Sequence, residues 1–150
     1  MMKENSNIVM CCCIALLTGL AACSSGGMSE AEVQTSLRAF FVEVDQAYSD
    51  AGSPPLDQPE ADMLKWTVDL ESAMLQIVDQ YVSANPYPAE IKQHMQDMRD
   101  GLSARISVFE AWIKNSTVRD SAPANDVKTA DDAAMQSTSA ETQLRIAADI

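Results

Sequence analysis

Seven apolar residues, Ile91, Met95, Met98, Leu102, Ile106, Phe109 and Ile113, follow one another at steps of 4, 3, 4, 4, 3 and 4. A half-buried strand would need alternation by two. These steps instead place all seven side chains on one side of an α-helix, in a pattern close to a heptad. Such a seam is satisfied only by other helices, packed at the small crossing angle of a left-handed bundle. Gly101 lies beside the seam, where a missing side chain permits a close helix approach, although simple tolerance of a glycine reads equally well.

The rest of the chain supplies partners for that seam. Ser29-Glu30-Ala31-Glu32 has the form of a capping box, and behind it Val33, Leu37, Phe40, Phe41, Val44 and Tyr48 recur at spacings that share one helix face. Gly52 and Pro54-Pro55 end this first helix. Asp57, with Glu60 three residues on and Pro59 in the first turn, opens a second. Its apolar set is broad, running through Met63, Leu64, Trp66, Val68, Leu70, Met74, Leu75, Ile77, Val78, Tyr81 and Val82. A stripe of that width implies more than one neighbour, or a surface awaiting a partner. Asn85-Pro86-Tyr87-Pro88 separates it from the third helix. After Asn115 the composition turns to Ser, Thr, Ala and Asp, and Ala130, Ala134, Leu144 and Ala148 form only a weak small-residue stripe. The expectation is an all-α, up-down helical bundle with three strong helices (about 29–50, 58–84 and 88–115). A doubtful fourth, about 126–148, has a mobile tail over 116–150 as its alternative. No alternating stretch is long enough to build a sheet.

Ahead of the bundle, an apolar run from Ile8 to Leu20 leads into Leu20-Ala21-Ala22-Cys23 and then a polar spacer, Ser24-Ser25-Gly26-Gly27. The run is shorter than the roughly 20 residues a spanning helix needs. Its order resembles the lipobox signal peptide of bacterial lipoproteins. The resemblance covers about the first 27 residues. It implies cleavage after Ala22, attachment of diacylglycerol to the Cys23 thiol and acylation of the new amine. It also implies a lipid-anchored protein of the cell envelope. Ser24, where an aspartate would retain such a protein at the inner membrane, resembles an outer-membrane address with the bundle on the periplasmic side. One departure is the leader's thin positive charge, Lys3 offset by Glu4, and an uncleaved anchor helix is the alternative. The tether from Cys23 to Met28 has an r.m.s. reach of order 10–15 Å.

Of the four cysteines, Cys11, Cys12 and Cys13 leave with such a leader and Cys23 is consumed by the thioether. The remaining chain has neither a disulfide nor a Cys nucleophile to draw on. Loss of Lys3 and Glu4 leaves the net charge at −12, which argues against nucleic acid and against docking on anionic lipid. Solubility accounts for such a charge; a basic partner protein is the sharper reading.

The chemistry-bearing residues are few. His94 is the only histidine, with Glu90 and Asp97 at spacings of four and three on the same helix face, a trio suited to a divalent ion. Met95 and Met98 beside it would suit Cu(I), but both belong to the core seam. Carboxylate pairs such as Asp97/Asp100, Glu43/Asp45 and Asp131/Asp132 read as a solvated face, since acid–base work needs carboxyls in unlike environments. There is no phosphate-cradling glycine loop, no haem attachment motif and no triad order. Asn115-Ser116-Thr117 matches a glycosylation sequon by chance composition. The chain is therefore read as non-enzymatic and without a cofactor. Trp112 belongs to the core, whereas Trp66 and Tyr81 on the broad second helix are candidates for a partner-binding surface, with core packing as the other reading. The expected function is a tethered bundle that binds or supports another envelope protein, through the broad face of helix two or a groove between helices two and three. In size, lipobox and helical content it is similar to the helical pilotins that carry secretin subunits. A bundle binding a small molecule or metal is the alternative.

Overall fold

The computed structural model describes residues 27–150. The Leu20–Cys23 motif, the cleavage position after Ala22 and the lipidation site at Cys23 lie outside the described residues. Among those described, every regular element is helical: α1 (Glu30–Ala51), α2 (Glu60–Ala84), α3 (Ala89–Lys114), a single 3₁₀ turn (Arg119–Ser121) and α4 (Ala124–Ala148). None of these helices is long and apolar enough to cross a membrane.

Local chemistry sets the helix ends. Glu32 Oε2 accepts from the Ser29 backbone N–H at 2.7 Å while Ser29 Oγ accepts from the Glu32 N–H at 3.4 Å, so the expected capping box is formed. Gly52 ends α1 at φ 67°, a conformation glycine adopts without strain. The other three helices start differently. Pro59, Pro88 and Pro123 hold the N-cap positions and donate no side-chain cap. Each proline carbonyl instead accepts from helical N–H groups: Pro59 from Asp62 (2.9 Å), Pro88 from Lys92 (3.0 Å), Pro123 from Val127 (3.1 Å). The expectation that Asp57 opens α2 is thus corrected, because the proline ring already fixes φ for entry and the helix starts at Glu60.

Helices neighbouring in sequence are neighbours in space, and α4 returns to α1, closing a four-helix ring. The pairs that meet run in opposite senses: Trp66 bonds to Ala51 and Tyr81 to Glu43 between α1 and α2, while Arg38 reaches Ala148 and Arg145 reaches Asp45 between α1 and α4. The bundle is up-down-up-down. Its main core joins Leu37, Phe40, Phe41 and Val44 of α1 to Met74 and Val78 of α2, Met95, Met98 and Leu102 of α3, and Leu144 of α4. Phe40 meets Phe41 and Tyr81 edge-on at 4.9 and 5.3 Å. A second, smaller core of Leu64, Phe109, Trp112 and Ala130 closes the far end, and α1 contributes nothing to it. There α3 packs between α2 and α4 alone and turns a different edge inward, so Trp112 is buried while the expected Ile113 is only partly so. Met28 also departs from the reading of it as tether, since it packs against the main core.

The fourth helix is the main correction. Residues 124–148 form a continuous helix, not a tail, and α4 makes its most extensive contact with α3. Its buried positions, Ala130, Ala133, Ser137, Ala140, Leu144 and Ala148, step by 3, 4, 3, 4 and 4. Ala130, Leu144 and Ala148 of the expected stripe are buried, whereas Ala134 is only half-buried and Ala133 takes the inward position. Such a stripe has little apolar bulk. It works through proximity: a β-carbon built on Gly101 of α3 would lie 2.7 Å from the Ala133 carbonyl oxygen and 2.8 Å from the Ser137 nitrogen. The missing side chain at Gly101 lets the two backbones approach, and many small dispersion contacts replace a few large ones.

Candidate functional site

The broad apolar stripe of α2 resolves into two parts. Leu64, Leu70, Met74 and Val78 are buried. Trp66, Ala73 and Ile77 are half-buried and, with Leu70, face Ala47 and Ala51 of α1 across an open groove of about 510 Å³. The groove lies between α1 and α2 and takes in the broad face of helix two, one of the two expected surfaces; it is not the other, a groove between helices two and three. Helix α2 makes a more extensive contact with α3 than with α1. The rim carries Glu43, Asp50 and Asp69, and no basic residue lines it.

Trp66, singled out from the sequence, forms one wall. Its indole N–H donates to the Ala51 carbonyl at 2.9 Å, so the ring is held in place and its face is presented rather than swallowed. Tyr81 does not line the groove. Its ring packs on Phe40, and its hydroxyl donates at 2.7 Å to Glu43, a rim residue. Burial, that donation and the Glu43 charge push the Tyr81 hydroxyl up to about 12, so it stays a donor. The structure thus splits the two candidates: Trp66 lines the groove, and Tyr81 is bonded to Glu43 on its rim.

The metal trio is not assembled. Glu90 is exposed, His94 is half-buried, and Asp97 accepts from Gln93 at 2.9 Å. Among the described residues no three His, Cys, Asp or Glu side chains converge to hold an ion. Met95 and Met98 are 0 and 1% exposed, core residues on the inner side of α3.

A second feature went unread in the sequence. Glu71 of α2 is buried at 6% exposure, and its Oε1 receives Arg105 Nη1 of α3 at 2.9 Å. Arg105 also lies over the Phe109 ring, 5.1 Å from its centroid. Burial drives the Glu71 carboxyl up to about 7, and the Arg105 charge only partly opposes this. Tyr48, expected in the core, is 43% exposed nearby; burial of its hydroxyl and the charges of Glu141 and Glu71 raise its pKa. The signal was available: Glu71 stands seven residues from both Leu64 and Val78, a charged residue at a core position of a heptad.

No protein-family model, curated protein or solved structure matches the chain. Its class rests on its own geometry: among the described residues, an all-α, four-helix, up-down bundle with an open, acid-rimmed apolar groove between α1 and α2.

Proposed function

We propose that this chain is a lipid-anchored, non-catalytic protein of the bacterial cell envelope whose bundle binds or supports another envelope protein. The observation that carries the reading is the α1–α2 groove. Its apolar floor of Ala47, Leu70, Ala73 and Ile77, its fixed Trp66 wall and its rim of three carboxylates complement an amphipathic helix with basic flanks. The net charge of −12 extends the same polarity over the molecule. Acylation at Cys23, after cleavage behind Ala22, would hold the bundle within a short tether of one leaflet and raise its effective concentration for a partner there. Ser24 favours the periplasmic face of the outer membrane.

A photo-crosslinking amino acid at Ala73, in the full chain expressed in its native host, tests this. One dominant envelope protein should be captured at that position and not from Gln136 on the exposed face of α4. Capture should fall when Asp50 and Asp69 are both changed to Lys. A secretin subunit as the captured protein would make the role pilotin-like. A blank at Ala73 with the protein intact in the membrane would sink the adaptor reading.

A further inference from the structure

The end of the α1–α2 groove beside Trp66 gathers negative potential from three sources. Asp50 stands next to Ala51, whose carbonyl holds the indole, and Asp69 follows Trp66 by about one turn of α2; both line the groove and both are exposed. Helix α1 also ends here, and its last turn carries no basic residue, whereas α3 and α4 end with Lys114 and Arg145. The negative end of the α1 dipole therefore adds to the two carboxylates without a cation of its own. Elsewhere the chain pairs its carboxylates with guanidinium groups: Arg38, Arg99, Arg105, Arg119 and Arg145 each hold at least one. Among the described residues Asp50 and Asp69 take part in no ion pair, and Asp50 accepts from the neutral Gln46 amide at 2.6 Å. The α1–α4 contact shows what completes such a set. There Arg145 lies over the Phe41 ring, 4.2 Å from its centroid, with Asp45 at 2.9 Å and Glu141 at 3.0 Å. Trp66, Asp50 and Asp69 supply the ring and both carboxylates, and no basic residue lines the groove. The smaller polar pocket of about 210 Å³ that Trp66 also borders differs, because Arg105 already opposes Glu71 in it.

We infer that this end of the groove is an arginine subsite, in which a guanidinium of the bound protein stacks on the Trp66 indole and donates to Asp50 and Asp69. The inference rests on the groove being the seat of a partner, and it narrows that partner's basic flank to one residue type. Indole is the side-chain ring that attracts cations most strongly, and the bond to Ala51 fixes its plane. A guanidinium is flat, so it can stack and still present N–H groups at its edges to two carboxylates, which a lysine ammonium cannot do. Glu43 lies seven residues before Asp50, about 10 Å along α1, and already accepts from Tyr81. It belongs to the opposite end of the groove and not to this subsite.

Nα-acetyl-arginine amide is the probe, titrated at millimolar concentration into the detergent-solubilised full chain and followed by the NMR resonances of the indole N–H groups. The citrulline and lysine analogues, at equal ionic strength, are its neutral and ammonium counterparts. The Trp66 resonance should shift saturably with the arginine probe, while Trp112, buried in the second core, stays in place. The lysine analogue should bind about threefold or more weakly, and the citrulline analogue should leave Trp66 unmoved. Asp50→Asn with Asp69→Asn, both at exposed positions, should weaken the arginine probe by about tenfold, the loss of charged hydrogen bonds. Asp97→Asn with Asp100→Asn on α3 makes the same change in net charge and should not. A Trp66 resonance that stays in place, an equal response to either analogue, or undiminished binding by the Asp50/Asp69 variant would each overturn the subsite. Capture of a protein at Ala73 beside a silent arginine probe would leave the adaptor reading standing and remove the arginine. Probe binding beside a blank at Ala73 would keep the subsite and remove the adaptor.

Discussion

Glu71 shows how one residue sets a property of the whole fold. Unfolded, its carboxyl loses its proton near the ordinary glutamate value of 4.5; folded, it keeps the proton to about 7. Between those values the native state binds more protons than the unfolded state, so stability falls as pH rises and the loss is complete above about 7. The side chain is 7% exposed, so screening by solvent is slight, and the span corresponds to about 3 kcal/mol. Urea denaturation at pH 4.5 and pH 8 should therefore show the wild-type chain losing stability relative to Glu71→Gln, whose amide does not titrate. A pH-independent difference between the two would show that folding does not shift the Glu71 carboxyl. The exposed pairs count for little beside it: Arg99 with Asp79 and Arg119 with Asp131 have side chains about half exposed, where ion pairs contribute little.

Among the elements, the α3–α4 contact carries the most weight and was the least visible. In an unconstrained helix, Gly101→Ala would stabilise by about 1 kcal/mol through propensity. Here the new methyl would fall under 3.0 Å from backbone atoms of Ala133 and Ser137, which cannot rotate away. Overpacking of that kind costs about 1–3 kcal/mol and should win, giving a lower denaturation midpoint for Gly101→Ala. An unchanged or raised midpoint would mean that α4 is free to move off α3. The helices differ, too, in what announces them. Leu, Ile, Met and Phe at steps of three and four advertise α3, whereas α4 relies on Ala130, Ala133, Ser137 and Ala140, whose small volume is the means of contact and the reason for a weak pattern.

At the scale of the whole molecule, the bundle's unequal helices create its recesses. α1 stops at Ala51, beside Trp66, while α2, α3 and α4 continue to a second core that α1 does not reach. The groove and the polar pocket both border this step, with Trp66 lining each. The proposed anchor belongs at this scale as well. Cys23→Ser should shift the protein from the membrane pellet to the soluble fraction, because none of the described helices is long and apolar enough to hold it there. Retention of the variant in membranes would point instead to an uncleaved anchor helix.

The sequence by itself determined the helical class, the limits of three helices to within about two residues, the capping box at Ser29 and the core positions of α3 from Ile91 to Phe109, because these follow from local periodicity and local hydrogen bonding. It also singled out Trp66 as a candidate, but not what the indole faces. Tertiary structure alone decided that α4 is a helix held against Gly101, that the groove opens between α1 and α2, and that Glu71 meets Arg105. Each of those depends on how closely two helices approach. That distance is set by the volumes of side chains far apart in the chain, and no local pattern encodes it.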